Sequence, residues 1–355
     1  MAKISLVVPC WHATKHLPHL LEDLQAQTFT DFEAILVNDG DDSQESAMEA
    51  IASQDNRIHI LCMKQNGGVA SARNAGTDIA KAPWVCYVDP DDRFGSHYLE
   101  SLYEAVDGSG VDMACGGYIL HYVRTGKNTN RYIGVKSSPQ VVDAAKGYEL
   151  ISSAVVDYVV WNKLYNLDVM RKYGIRYNSN MLTGDDDAFS LEYLLAVEKI
   201  GIVKYCEYVY YFYDGGTMVH RYDPSYMKNC CERASLREKL RRKLGWSEQR
   251  IIQEKNKELA YASFGMCSRL FVKTSPLTIK DAVNKINEDI LSKPEIASAI
   301  LEGSNERDRM MRLHQWLVSK NDAHLIALTY KILGTAKSRF GNFYAKVKPF
   351  FRGDA

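Results

Sequence analysis

The chain has no surplus of charge of either sign: 44 Lys and Arg against 44 Asp and Glu leave a formal net charge of zero. A basic surplus is the electrostatic footprint of nucleic-acid binding, so its absence argues against nucleic acid as a partner. No Cys-x-x-Cys pair occurs among the eight cysteines, several of which lie inside apolar runs. Reduced, mostly buried thiols are therefore expected, in a cytoplasmic protein, rather than a thiolate metal cluster. No apolar run approaches the ~18 residues a membrane-crossing helix needs. The opening "KISLVVPCW" is too short for a signal peptide. G-x-G-x-x-G after the first apolar run and G-x-x-x-x-G-K-[ST] are both missing, which removes the dinucleotide fingerprint and the P-loop. No internal repeat is evident.

What is present is 355 residues, 46% of them hydrophobic, enough for a sizeable core and more than one domain. "ISLVVP", "FEAILVNDG", "IHILC" and "WVCYVD" read as short strands, separated by helical patterns such as "GVASARNAGTDIAKA". That alternation predicts an α/β fold with a mostly parallel sheet. Ligands of such sheets gather beyond the carboxyl ends of the strands, which brings Pro9, Asp39, Asn66 and Asp89 to Asp92 to one rim. "VDMACGGYIL" and "HYVRTG" read as further strands, and "GIVKYCEYVYYFYDGG" as one aromatic-rich strand. Charge-rich helical segments follow. The expected division is a catalytic domain over 1–225, with halves 1–110 and 111–225, and a helical region over 226–355.

Within "VDPDDRF", Asp89, Asp91 and Asp92 repel one another unless something compensates. A surface turn would satisfy them; so would Mg²⁺ or Mn²⁺, which prefer such hard oxygens and bind ligand phosphates. Gly67 and Gly68 precede a helix and would let backbone N–H groups approach an anion, or serve as loop punctuation. Arg73, inside that helix, would reach a diphosphate or an aspartate of the rim, or solvent. In "TGDDDAF", Asp185, Asp186 and Asp187 open a helix, where acidic residues suit the dipole. The alternative makes one of them a general base toward a hydroxyl.

These segments, in this order, resemble the inverting nucleotide-sugar glycosyltransferases of the bacterial GT-A group called family 2, over about residues 3 to 220. The resemblance implies a GT-A fold. It puts Pro9 and Asp39 around the nucleotide base and matches "NGGVASARNAG" to N-x-G-x-x-x-A-R-N-x-G, placing Asn66 and Arg73 near the donor. It makes Asp91 the leading metal ligand, with Asp89 near the ribose and Asp92 in support. "WNKLYNLDV" puts Trp161, Asn162 and Lys163 on the sugar or acceptor side, Lys163 as a donor-binding residue. Asp186 takes the position of the catalytic base, and Asp185 stands where the family usually has Glu. Asp214 replaces a usual Arg; His220 or Arg221 is the substitute, and His220 is also a candidate second metal ligand.

The implied reaction moves a hexose or N-acetylhexosamine from a UDP-sugar, with Mn²⁺ or Mg²⁺, to a hydroxyl of a glycan or lipid-linked saccharide. A sugar nucleotidyltransferase and a silent nucleotide-sugar-binding protein are the alternatives. Near the C-terminus, "KILGTAKSRFGNFYAKVKPFFRG" carries only basic charges between apolar residues at three- and four-residue spacing. It reads as an interfacial element, meeting the inner face of the membrane peripherally through 331–353, or as a helix packed in the protein or an oligomer.

Overall fold

A computed structural model describes residues 2–213, 222–272, 275–303 and 308–339. The chain divides into two units: residues 1–180 with 185–214, and residues 181–184 with 215–355. The first unit thus ends ahead of residue 225, and the four residues Met181–Gly184 go with the second.

The first unit opens with β1 (Ile4–Cys10), α1 (Leu17–Gln25), β2 (Phe32–Asn38), α2 (Glu45–Ala52), β3 (Ile58–Cys62), α3 (Val69–Ile79) and β4 (Trp84–Tyr87). All seven residues of β1 and all seven of β2 are buried, as continuous apolar strands covered on both faces must be. The chain continues through β5 (Arg93–Phe94), α4 (Tyr98–Glu104), β6 (Met113–Gly116), β7 (Tyr118–Tyr122), β8 (Lys127–Arg131), β9 (Gln140–Asp143) and α5 (Ala144–Ser153). It closes with β10 (Lys163–Asn166), α6 (Leu167–Tyr173), α7 (Asp185–Ala196), β11 (Lys199–Val203) and β12 (Tyr208–Phe212).

Eight strands form one sheet in the order β3-β2-β1-β4-β10-β6-β11-β9. The first four pair in parallel, as the alternation predicts, and β10 enters antiparallel to both β4 and β6. A second sheet of four strands, β5-β12-β7-β8, collects the aromatic segments. The run from Gly201 to Phe212 is therefore two strands in two sheets, not one. The break at Lys204–Glu207 is where the chain leaves β11, and Glu207 adopts φ +57° there.

Gly76 sets how closely α3 lies on this sheet. A Cβ there would sit 2.5 Å from Cγ1 of Val7 and 3.0 Å from Cγ2 of Val37, both in buried strands. Gly76→Ala gains up to ~1 kcal/mol of helix propensity, but overpacking a core costs ~1–3 kcal/mol. A net loss of stability is expected in urea unfolding, larger for Gly76→Val; a stabilised alanine variant would contradict this packing.

The second unit is helical over its described residues: α8 (Tyr226–Lys243), α9 (Glu248–Arg269), α10 (Ile279–Ile286), α11 (Pro294–Glu302), α12 (Arg309–Ser319) and α13 (Ala323–Arg339). Its core includes a buried polar set around His314. Nε2 of His314 lies 2.8 Å from the Ser263 hydroxyl, and its Nδ1 lies 2.9 Å from that of Tyr330. Burial pushes this imidazole down to about 4, so it is neutral at ordinary pH. No helix among the described residues is long and apolar enough to cross a membrane. Residues 340–353 of the expected interfacial segment lie outside the described residues, as do Asp214, Arg221 and the candidate metal ligand His220.

Candidate active site

The rim at the carboxyl ends of β1 to β4 is assembled by short-range polar contacts. Gly40, at φ +71°, lets the turn after β2 press against residues 65–66, where a Cβ would meet the Gln65 carbonyl carbon at 2.4 Å. This approach carries the buried Asp39 carboxylate to the start of α3. Its Oδ1 accepts from the Gly67 N–H at 2.7 Å; its Oδ2 accepts from the Gly68 N–H at 2.9 Å and from the Asn66 amide at 3.1 Å. Asp39 and Asn66, both expected at the donor site, are thus brought together. The Asp39 carboxylate also shapes the glycine loop, a role the sequence does not reveal.

Hydrogen bonds to a carboxylate contribute ~1.5–3 kcal/mol, and removing this one would orphan the Gly67 and Gly68 N–H groups, while the Asn66 amide keeps the Asp39 backbone carbonyl at 3.3 Å. Asp39→Ala should therefore cost about 2–4 kcal/mol of stability. Denaturant unfolding checks this; a variant as stable as wild type would refute the cradle.

Beyond β1, Pro9 is buried in the strand and Cys10 leads into Trp11 and His12. The imidazole Nδ1 of His12 lies 2.9 Å from Oδ2 of Asp41, and its backbone N–H reaches the same oxygen at 3.2 Å. Gln44, fully buried, donates to the Cys10 carbonyl and accepts from the Ala13 N–H, both at 2.9 Å. Two loops that the sequence separates by some thirty residues are locked together in this way.

The centre of the site is Arg73. From α3 its guanidinium donates to Asp89 at 2.8 Å through Nη2 and to Asp186 through Nη1. Its side chain is only 3% exposed, whereas those of Asp89 and Asp186 keep 25% and 31% open. One buried cation thus joins the end of β4 to the first turn of α7. Its Nε has no hydrogen-bond partner among the described residues, and the Tyr177 ring lies 5.3 Å from the guanidinium carbon.

The surrounding protein pushes the Asp186 carboxyl up to about 7; Arg73 opposes this, while Asp185 and Asp89 add to it. Asp185 is also pushed up, chiefly by burial, and its Oδ2 is buried without a partner among the described residues. Asp91 is an exposed residue whose carboxyl is raised by the protein around it and then by the Asp89 charge. Asp92 is buried and tied down, accepting from the Tyr208 hydroxyl and the Tyr211 N–H, each at 2.8 Å. Of the acidic rim, Asp92 is therefore structural, Asp89 is paired, and Asp91 faces outward.

Among the described residues, no group of three or more His, Cys, Asp or Glu is arranged to hold a metal ion. What the rim offers is one outward carboxylate among crowded negative charge. That donor set fits a hard cation taking its other ligands from phosphate and water.

Lys163 corrects an expectation. It does not face a ligand: its buried ammonium donates to the carbonyl oxygens of Val156 at 2.9 Å, of the Asn162 side chain at 2.8 Å, and of Val159. All three protons are used within the chain. Trp161 and Asn162 are buried as well; the Asn162 amide donates to the Gly116 carbonyl at 2.6 Å.

Residues 5–174 match the family model described as glycosyl transferase family 2. The first unit carries a family 2 glycosyltransferase domain with the GT-A fold. Glycosyltransferase GlyG of Streptococcus pneumoniae is 28% identical over 235 residues, covering 64% of this chain and 77% of that protein. The uncharacterized glycosyltransferase EpsJ of Bacillus subtilis is 28% identical over 215 residues; the match spans 58% of this chain and 60% of that protein. A solved structure of S. aureus TarS in complex with UDP-GlcNAc covers 95% of this chain and 92% of its own, with a TM-score of 0.65 at 16% identity. That last likeness is one of fold.

Proposed function

We propose that the chain is a metal-dependent inverting glycosyltransferase. It would move a hexose or N-acetylhexosamine from a UDP-sugar to a hydroxyl of a glycan or lipid-linked polysaccharide precursor. The observation that carries this reading is the bridge from Asp89 through Arg73 to Asp186. It places a raised, solvent-reachable carboxylate beside a rim suited to a nucleotide diphosphate.

In this reading Asp186 accepts the proton of the acceptor hydroxyl as that oxygen attacks the anomeric carbon. A single displacement inverts the configuration, and no covalent intermediate is needed. Arg73 holds Asp186 in place and favours its ionised form. Asp185 faces the sugar from the same helical turn. Asp39 and Asn66 hold the loop against which the nucleotide lies, and Asp89 approaches the ribose. Asp91 would hold Mn²⁺ or Mg²⁺, which offsets charge on the leaving diphosphate. Peripheral membrane association through 331–353 belongs to the same proposal, with a lipid-linked acceptor as its natural consequence.

The test is calorimetric titration with UDP, with and without Mn²⁺, on wild type and Asp91→Ala. Metal-enhanced binding that Asp91→Ala loses supports the reading. Absence of UDP binding in both conditions would overturn it.

A further inference from the structure

The small sheet has a face that the proposed reaction does not yet use. Alternate residues of a strand share a face, and the registers Val209↔Ile119 and Tyr118↔Arg131 align three such sets. They are Tyr208, Tyr210 and Phe212 on β12, Tyr118, Leu120 and Tyr122 on β7, and Arg131, Thr129 and Lys127 on β8. Trp161 lies over the first two: its ring stacks on Tyr208 at 4.3 Å and 9° and on Tyr210 at 5.4 Å, and meets Tyr118 edge-on at 4.5 Å. Tyr158, 40% exposed, brings its hydroxyl to 3.4 Å from that of Tyr118.

This aromatic strip begins at the acidic rim, because the Tyr208 hydroxyl is the one bound to Asp92. It ends on charge of the opposite sign. Those three sets contain no Asp or Glu. Arg131 lies directly across the ladder from Tyr118; its Nε is buried with no hydrogen-bond partner among the described residues. Arg131 is half-buried, and its Nε–H has no protein acceptor beside the stacking rings, so the protein does not neutralise this guanidinium and its charge is offered to a ligand. Tyr118, Tyr208 and Trp161 are themselves buried and back the strip, which leaves Tyr158 and the half-buried Tyr210 as its open rings; such rings suit the C–H faces of a pyranose, and the guanidinium suits a carboxylate or a phosphate.

We propose that this face is the acceptor subsite and that the acceptor is an anionic saccharide, its sugar on Tyr158 and Tyr210 and its negative group on Arg131. The inference rests on the glycosyltransferase reading and narrows its acceptor class. Lys163 serves it from behind: the carbonyls it holds, Val156 and Val159, flank Tyr158.

The test uses the full chain with UDP present and three probes: trigalacturonate for carboxylates, a phosphodiester-linked mannose oligomer for phosphates, and neutral maltotriose. At least one anionic probe should bind tenfold or more tighter than maltotriose, and which one does so names the anion. Arg131→Ala should erase that preference and Arg131→Lys restore part of it. Tyr158→Ala should weaken all three probes, with UDP affinity unchanged in every variant. Equal binding of neutral and anionic probes, no binding of either anionic probe, or a preference that survives Arg131→Ala would overturn the inference while leaving the transferase reading standing. Failure of wild type to bind UDP would remove that reading, and this one with it.

Discussion

Asp186→Asn should lower glycosyl transfer about 100- to 10,000-fold, the range a positioned general base supplies, while UDP affinity stays within about twofold. The asparagine keeps the shape and can still accept from Arg73, but cannot take a proton. The pH dependence follows from the same group. In the proposed role Asp186 works ionised, and the protein pushes its carboxyl up to about 7. Turnover in the wild type should therefore rise with pH up to about 7 and level off above it, whereas the residual rate of Asp186→Asn should lack that rise. A wild-type profile already flat from pH 5 would remove Asp186 from the role.

Arg73→Ala is expected to have the next largest effect, through two routes. Breaking a buried ion pair costs ~3–5 kcal/mol; because Asp89 and Asp186 keep part of their surface in solvent, about 2 kcal/mol or more is the expected loss. The second route is electrostatic. Arg73 is the charge that opposes the rise at Asp186, so the rising limb of the pH–rate profile should move upward by at least about one unit. The stability dependence has a definite sign. An acid held above its ordinary 3.8 keeps its proton in the native state where the unfolded chain gives it up. Stability therefore falls as pH rises from about 4 to about 7, and the fall extends to higher pH without Arg73. Arg73→Lys should recover only part of both effects, since a point charge cannot span two carboxylates as a fork does. Equal unfolding midpoints and superimposable pH profiles for wild type and Arg73→Ala would refute the bridge.

Much of the site's raw material is legible in the linear sequence, and the reason is local. Strands buried on both faces read as continuous apolar runs, so β1, β2 and β4 and the rim at their ends follow from composition and periodicity alone. The acidic clusters are equally visible. What sequence cannot display is which charge meets which. Arg73 and Asp186 are 113 residues apart, and nothing short of the fold says that one guanidinium serves both clusters. Lys163 shows the opposite failure. The family resemblance gives this lysine a ligand role, but the deciding fact is the set of carbonyl oxygens that a preceding loop turns toward it. The aromatic run from Tyr205 to Tyr213 misled in a third way. Glu207 is the one charge in that run, so the exchange of sheets near Cys206 leaves little mark on hydropathy. The rings that form the strip with Trp161 come from three separate segments.

The most direct test of the central claim is release of UDP from a panel of UDP-sugars with and without Mn²⁺, measured on wild type, Asp91→Ala and Asp186→Asn in parallel. The account predicts metal-dependent turnover of at least one UDP-hexose or UDP-N-acetylhexosamine. It predicts loss of that turnover in Asp91→Ala. For Asp186→Asn it predicts slow hydrolysis at most, and no acceleration by a saccharide acceptor. Turnover that is indifferent to metal and unchanged in both variants would contradict it.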